Sequence, residues 1–370
     1  MTTTGKQIFT TLESDGTLTV EVATSEFPEP KGNQVLVKME AAPINPSDLA
    51  LLFGQADLDN ADYSEGKIVA KMPEPFNSGS KGRHGQRMPV GNEGAGEVIA
   101  TGESDAAKAL MGKRVSCVPG TAYAEYAIAD ANMCLPLGDI SSKDGASAFV
   151  NPMTALGFVE TAKMEGFKAI VHTAAASNLG QMLVRICQED GVPLVNIVRR
   201  QEQADILKGM GAENIVNSSD DDFMNQLRGA IDATDAFFGF DPIGGGQMVD
   251  TCFKAMEQVA VKKMSEYSRY GSNQQKKMYI YGRLDLGPTM LTPAYGFGWT
   301  LSGWLLTPFL QNAGMETVLR MRQRGLDNLT TTFKSNYTKE VTLEGMLEKD
   351  AVLQYRQMRT GEKYLVTPHA

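Results

Sequence analysis

Apolar and polar residues alternate over short stretches early in the chain, and near Ser147 this rhythm gives way to apolar strands separated by helical patterns. Alternation is the mark of a half-buried strand, and a 3.6-residue recurrence that of an amphipathic helix. Residues 1 to about 40 therefore predict strands around a Pro/Gly-rich turn, with Val35-Leu-Val-Lys-Met-Glu-Ala the clearest of them. Strand signals return at Gly94-Ala-Gly-Glu-Val-Ile-Ala, Lys113-Arg-Val-Ser-Cys-Val and Ala124-Glu-Tyr-Ala-Ile. Their shortness and their glycines suggest a curved sheet or small barrel. Between them, residues 55–88 are polar, with Gly79, Gly82, Gly85 and prolines at 73 and 75. Such a stretch predicts an irregular loop, either a functional lid or a disordered segment.

From Ala148 the pattern becomes βα. Ala148 to Met164 predicts a helix, Lys168-Ala-Ile-Val-His-Thr a strand, Leu179 to Asp190 a helix, and Leu194-Val-Asn-Ile-Val a second strand. A helix over Gln201 to Gly211 and strands at Asn214-Ile-Val, Ala236 to Asp241 and Lys277 to Tyr281 continue the series. Alternating strands and helices imply a doubly wound parallel sheet. The tail adds a helical stretch near Val352 to Met358 and a final strand at Lys363-Tyr-Leu-Val-Thr. The apolar run from Ala294 to Leu310 carries Gly296, Gly298, Gly303 and Pro308, so it predicts a buried strand and turn rather than a membrane span.

At 370 residues the chain exceeds what one core usually serves, which predicts two domains. A formal net charge of −9 argues against nucleic-acid binding, since phosphate contacts need a basic surface. The cysteines, Cys117, Cys134, Cys187 and Cys252, form no C-x-x-C pair, and their wide spacing fits a reducing compartment. With His84, His172 and His369 the only histidines, no His-rich metal site is expected. The N-terminus lacks the apolar core of a secretory leader, and a cytoplasmic location is expected.

Candidate chemistry begins at the turn Thr173-Ala-Ala-Ala-Ser-Asn-Leu-Gly-Gln181. A dinucleotide turn needs small residues so that backbone N–H groups at a helix N-terminus reach a pyrophosphate. Here Ala174, Ala175, Ala176, Ser177 and Gly180 are small, and Asn178 tolerates left-handed geometry. Tight packing alone explains such a turn equally well. The next strand ends in Val198-Arg-Arg-Gln-Glu, where an NAD site usually places an acidic residue against the ribose 2′-hydroxyl. Two arginines at that point suit a 2′-phosphate, which favours NADP(H). Elsewhere Lys81, Arg83, His84 and Arg87 cluster, a solvated charge run as a rule, with the phosphates of a coenzyme A thioester as the functional alternative.

Taken together, Ala42-Pro-Ile-Asn-Pro-Ser-Asp48, Gly91-Asn-Glu-Gly94, Val150-Asn-Pro-Met-Thr-Ala155, Ala175 to Gln181, Asn196-Ile-Val-Arg199 and Gly303-Trp-Leu305 carry a resemblance. By their number and order the chain resembles the medium-chain dehydrogenase/reductase superfamily over nearly its whole length. Within it, the chain is similar to the zinc-free 2-enoyl thioester reductases and their quinone oxidoreductase relatives. The resemblance implies a GroES-like, partly open β-barrel catalytic domain over residues 1–150 and 313–370, and a Rossmann NADP-binding domain over 151–312. The active site is then expected between them. Zinc members of the superfamily have Cys near Asn45, His at Asn92 and a four-cysteine lobe; here both positions are Asn and residues 97–114 contain no Cys. Neutral amides are poor zinc ligands beside thiolate and imidazole, so no metal is expected.

By the same resemblance, Thr154 sits near the nicotinamide, and Ala175, Ser177, Asn178, Leu179 and Gly180 line the pyrophosphate. Arg199 and Arg200 meet the 2′-phosphate, Tyr281 and Gly282 lie near the cofactor, and Gly303, Trp304 and Leu305 flank the nicotinamide on an edge strand that pairs two subunits of a homodimer. The implied reaction is hydride transfer from NADPH to the activated C=C bond of an enone or enoyl thioester. Asn45 would help to hold the developing enolate. Related thioester reductases have a tyrosine proton donor where this chain has Ala56, which leaves Tyr63 as the candidate donor. Two alternatives stand beside this reading. One is an NADPH:quinone oxidoreductase whose acceptor stacks on Phe53, Tyr123, Trp299 or Trp304. The other is a dinucleotide-binding sensor or scaffold without turnover.

Overall fold

A computed structural model describes residues 2–370. They form two units, residues 2–150 with Gly325–Ala370, and Asn151–Arg324. No helix among the described residues is long and apolar enough to cross a membrane.

In the first unit the strands Thr3–Leu12 and Thr17–Phe27 pair antiparallel from Thr3↔Phe27 to Leu12↔Leu18. The hairpin closes on Gly16, at φ 81°, with the Asp15 carboxylate accepting the Thr17 N–H at 2.8 Å. This pair is the centre of a five-stranded sheet whose other strands are Asp62–Ser64, Lys67–Lys71 and Arg87–Pro89. Residues 55–88 are thus not the irregular loop that their composition suggests. Lys67–Lys71 pairs antiparallel with residues Thr17 to Glu21 and alternates buried Ile68 and Ala70 with exposed lysines. A half-buried strand flanked by glycines and prolines is too short and too polar to stand out in sequence.

The second sheet of this unit runs Cys134–Pro136, Arg114–Cys117, Gly94–Thr101, Gln34–Pro43, Tyr364–Val366, Lys339–Val341, with Tyr126–Asp130 also paired to Gln34–Pro43. The tail joins because Leu365 and Val366 pair with Pro43 and Ala42. Where Gly94–Thr101 passes a bulge in its partner strand, a Cβ on Gly96 would lie 1.9 Å from the Lys38 carbonyl oxygen, so only glycine fits. Ile8, Leu18, Val20, Val35, Val37, Val98, Val115 and Val366 pack in one core from both sheets.

The second unit is built on a parallel sheet, in spatial order Ile215–Asn217, Leu194–Val198, Ile170–His172, Phe238–Asp241, Lys276–Ile280, Trp299–Gly303. The order reverses between Ile170–His172 and Phe238–Asp241, the switch point at whose carboxyl ends open α/β sheets bind ligands. Helices Val150–Met164, Asn178–Asp190, Gln201–Gly209, Phe223–Thr234 and Met248–Lys262 connect or flank the strands. The doubly wound α/β fold expected from the alternating pattern is therefore present. Residues 294–310 do not form the buried strand expected of them. Trp299–Gly303 is the edge of the sheet and largely exposed, while Tyr295 and Trp304 on either side are buried.

Helix Met315–Asp327 is held to this unit by ion pairs from Arg320 to Glu160 and from Arg324 to Glu189 and Asp190. The unit runs to Arg324, whereas the resemblance implies a boundary at residue 312.

The turn after Ile170–His172 is the tightest point of the second unit. Ser177 caps helix Asn178–Asp190, its Oγ accepting the Gly180 N–H at 3.1 Å. A Cβ on Gly180 would meet the Ala175 carbonyl oxygen at 2.1 Å, a backbone atom that cannot step aside. Gly180→Ala is expected to destabilise the protein by about 2–3 kcal/mol through overpacking. Urea unfolding of the variant within experimental error of the parent would refute this.

Candidate functional site

In the second unit the residues expected to hold a cofactor, Thr154 apart, lie at or just after the carboxyl ends of the parallel strands. Ala175, Ser177, Asn178, Leu179 and Gly180 form the turn and first helical residues after His172, with Ala175 fully buried and Ala174 at φ 52°. The turn thus presents the N-terminus of a 13-residue helix, whose dipole favours an anion. Arg199 and Arg200 follow the neighbouring strand Leu194–Val198 and are exposed. Their backbone is pinned, the Arg199 N–H donating to Gln203 Oε1 at 3.1 Å and the Arg199 carbonyl accepting from Ser219 Oγ at 2.7 Å. Among the described residues neither guanidinium is paired with a carboxylate. A small-residue turn on a helix N-terminus, with two uncommitted guanidinium groups one strand away, fits a dinucleotide carrying a 2′-phosphate.

Tyr281 and Gly282 follow Lys276–Ile280, and the Tyr281 hydroxyl lies 2.8 Å from His172 Nε2. His172, which ends the central strand, carries no signal in the sequence beyond its place in an apolar run; burial drives its pKa down to about 3, so the ring is neutral. Asp241 is equally unmarked. Its carboxylate accepts from the Thr173 hydroxyl and from the Gly244 N–H, the latter at 2.7 Å, tying together the two strand ends at the switch point. Thr154 is buried in helix Val150–Met164. Gly303 and Leu305 are exposed, Leu305 at 65%. Trp304 between them turns inward, its indole N–H donating to Thr161 Oγ1 at 3.0 Å and its ring packing on Phe158 and Phe309.

In the first unit a buried polar network surrounds Asn45. This residue caps helix Pro46–Leu52, its N–H donating to Asp48 Oδ2 at 2.9 Å, while Asp48 Oδ1 accepts the Asn92 N–H at 2.8 Å. The Asn45 side-chain amide donates to Glu93 Oε1 at 2.9 Å, and Glu93 Oε2 accepts the N–H groups of Phe149 and Val150, each at 2.9 Å. The Asn92 amide donates to Ser47 Oγ at 3.0 Å. Lys363 reaches the same interior from the tail, donating to Ser147 Oγ at 2.8 Å, and Ser147 Oγ lies 2.8 Å from the Tyr337 hydroxyl.

Asn45, Asp48, Glu93, Ser147 and Lys363 are all at most 8% exposed. Among the described residues no carboxylate lies within ion-pair reach of Lys363. Burial raises the Asp48 carboxyl to about 7 and raises Glu93, and it lowers the Lys363 ammonium to about 8, against the opposing pull of the Glu93 charge. The cluster therefore holds groups that exchange protons close to neutral pH, the range useful to an acid or base. Glu93 stands in the Gly91-Asn-Glu-Gly94 segment, but nothing in the sequence marks Ser147, Tyr337 or Lys363 as its neighbours.

Tyr63 sits in the strand Asp62–Ser64, packs against the core and donates its hydroxyl to the Leu58 carbonyl at 2.8 Å. The aromatic residues expected to stack an acceptor are mostly committed elsewhere. Phe53 stacks on Tyr355, Tyr123 is fully buried with its hydroxyl on the Pro43 carbonyl, and Trp299 packs on Phe253 and Tyr295. Among the described residues no group of three or more His, Cys, Asp or Glu is arranged to hold a metal ion.

Residues 31–139 match the alcohol dehydrogenase GroES-like domain. The chain is 27% identical over 210 residues to the mitochondrial enoyl-acyl-carrier-protein reductase of Bos taurus, covering 54% of this chain and 49% of that protein. It is 26% identical over 191 residues to prostaglandin reductase-3 of Mus musculus, covering 51% and 44%. The chain thus spans about half the length of the curated relatives it matches. Among solved structures, a candidate NADPH:quinone reductase from Mesorhizobium loti superposes with a TM-score of 0.75 at 26% identity, covering 99% of this chain and 98% of that one. The GroES-like match in one unit, the switch-point parallel sheet in the other and this end-to-end superposition are features the chain shares with the medium-chain dehydrogenase/reductase superfamily, to which it is similar over both units.

Proposed function

We propose that this protein is an NADP(H)-dependent oxidoreductase that reduces the activated C=C bond of an enone or enoyl thioester without zinc. The observation that carries the reading is the state of the two asparagines. At the positions where zinc members have ligands, Asn45 is bonded to Glu93 and Asn92 to Ser47, so both amides serve hydrogen-bond networks. The relatives named as enoyl and prostaglandin reductases support the reaction class. The M. loti structure, named for NADPH and quinone, supports the cofactor.

In this reading Arg199 and Arg200 grip the 2′-phosphate, and the turn Ala175–Gly180 receives the pyrophosphate. Thr154, Tyr281, Gly282, Gly303, Trp304 and Leu305 shape the nicotinamide end. When bound, the cofactor supplies the hydride. Hydrogen-bond donors must then meet the charge that develops on the substrate carbonyl, a part given to Asn45 and neighbouring backbone N–H groups. Tyr63 acts as proton donor only if its hydroxyl leaves the Leu58 carbonyl. The largely exposed edge strand Trp299–Gly303 supports pairing with a second copy, and the four free cysteines support a reducing compartment such as the cytoplasm. Quinone reduction is the second reading, favoured by the name of the M. loti relative.

The test is loss of NADPH absorbance with enones, enoyl thioesters and quinones side by side, each repeated after chelator treatment. Turnover of enones or thioesters that survives the chelator is expected. Preferential quinone turnover moves the assignment to the second reading, alcohol oxidation sinks both, and NADPH binding without any turnover returns the non-catalytic reading.

A further inference from the structure

The basic segment around Lys81 to Arg87 takes no part in the function proposed above, and one of its arginines is unusual. Arg83 lines a cavity of about 270 Å³ whose walls include Ala50, Gln55, Met72, Phe76 and Ser80. Its guanidinium is half-buried, with Nη2 donating to Thr10 Oγ1 at 3.1 Å and to the Leu51 carbonyl at 3.2 Å, while the buried Nε has no partner. Thr10 Oγ1 itself donates to the Leu52 carbonyl at 3.0 Å, which aims its lone pairs at the arginine. Among the described residues no carboxylate is paired with Arg83. Glu74, the acid of that segment, is engaged by Ser78 and Asn77, and Arg87 is engaged by Glu21. Lys81 is exposed, and His84 Nε2 lies against the Asn77 carbonyl at 3.2 Å.

A guanidinium keeps its charge at any physiological pH and offers five N–H donors in a planar fork. Placed half in the protein against neutral acceptors only, it lacks the anion that would offset its desolvation. The rest of the cavity is not built for a bare inorganic ion. Met72 and Ala50 give it apolar walls, and Phe76, 41% exposed, stands at its rim. We propose that this cavity binds a small organic acid, with the carboxylate on the Arg83 guanidinium and the hydrocarbon part against Met72 and Phe76. The acid is either a free effector or the acidic end of a substrate.

The experiment is calorimetric titration of the full chain, free of cofactor, with octanoate and separately with inorganic phosphate. It requires no turnover, so its failure is distinct from failure of the reductase reading. Saturable octanoate binding is expected, weakened about tenfold or more in Arg83→Gln through loss of a charge-assisted pair. Phe76→Ala, at the exposed rim and safe for folding, is expected to weaken octanoate about threefold or more through lost apolar burial. No octanoate binding, binding undiminished in both variants, or phosphate binding at Arg83 in preference to octanoate would each overturn the proposal. With an active substrate in hand, competitive inhibition by octanoate identifies the acidic end of a substrate, and a non-competitive effect identifies a separate effector.

Discussion

Lys363→Met is expected to destabilise the protein by about 1.5–3 kcal/mol at neutral pH, the cost of losing the buried charge-assisted hydrogen bond to Ser147 Oγ and the cation that favours the ionised Glu93. Asp48, Glu93 and Lys363 are 3%, 1% and 8% exposed, and Lys363 is the cation whose charge reaches both acids. Methionine matches the aliphatic stem but removes the ammonium, so Ser147 loses a donor and Glu93 keeps only the Asn45 amide and two backbone N–H groups. Relief then comes through protonation of the acids.

The sign of the pH dependence follows from the direction of each shift. Asp48, raised from 3.8 to about 7, binds more protons folded than unfolded across that window, so its contribution is fully present below 3.8 and is lost as pH rises through 7. Glu93, also raised, acts in the same sense. Lys363, lowered from 10.5 to about 8, binds fewer protons folded than unfolded between those values, so its contribution grows as pH rises from 8 toward 10.5. The parent protein should therefore show a shallow stability minimum from this cluster near pH 7–8. Lys363→Met should lose the rising limb above pH 8 and fall more steeply toward neutrality from the acid side. Urea unfolding across this pH range measures both limbs. A variant as stable as the parent at pH 7 would show that the Lys363 ammonium makes no net contribution there.

Replacing Arg199 and Arg200 together by alanine is expected to weaken NADPH binding about a hundredfold while changing NADH binding less than about twofold. Each guanidinium is exposed, so each contact with a phosphate is worth less than a buried one and falls with added salt. Two such contacts together still supply roughly 2–3 kcal/mol. Because the Arg199 backbone is held by Gln203 and Ser219, truncating the side chains should leave the strand end in place. The double lysine variant should fall between, since an ammonium keeps the charge without the planar fork. Equal losses for both cofactors, or unchanged NADPH affinity, would remove these residues from the cofactor site.

Signals confined to neighbouring residues are legible in the chain itself. The alternation of Val35 to Ala41, the βα rhythm after Ala148, the small-residue turn at 173–181 and the paired arginines each lie within one element, one turn or one short repeat. Segments whose character depends on a distant neighbour mislead. Lys67–Lys71 looks like loop because its lysines face solvent, and only pairing with residues Thr17 to Glu21 makes it a strand. The run 294–310 looks buried because it is apolar, yet Trp299–Gly303 is a sheet edge.

Residue type and short spacing suffice for the two-part α/β plan, the turn of small residues before a helix and the cationic end of the second strand. Folding alone settles what Asn45 does with its amide, that Lys363 is buried beside Ser147 and within the field of Glu93, and that Arg83 faces a cavity without a counter-charge. Those properties arise from burial and from partners far apart in the chain. The cost of a charge is set by the dielectric and the neighbours that folding assembles around it, which no local pattern records.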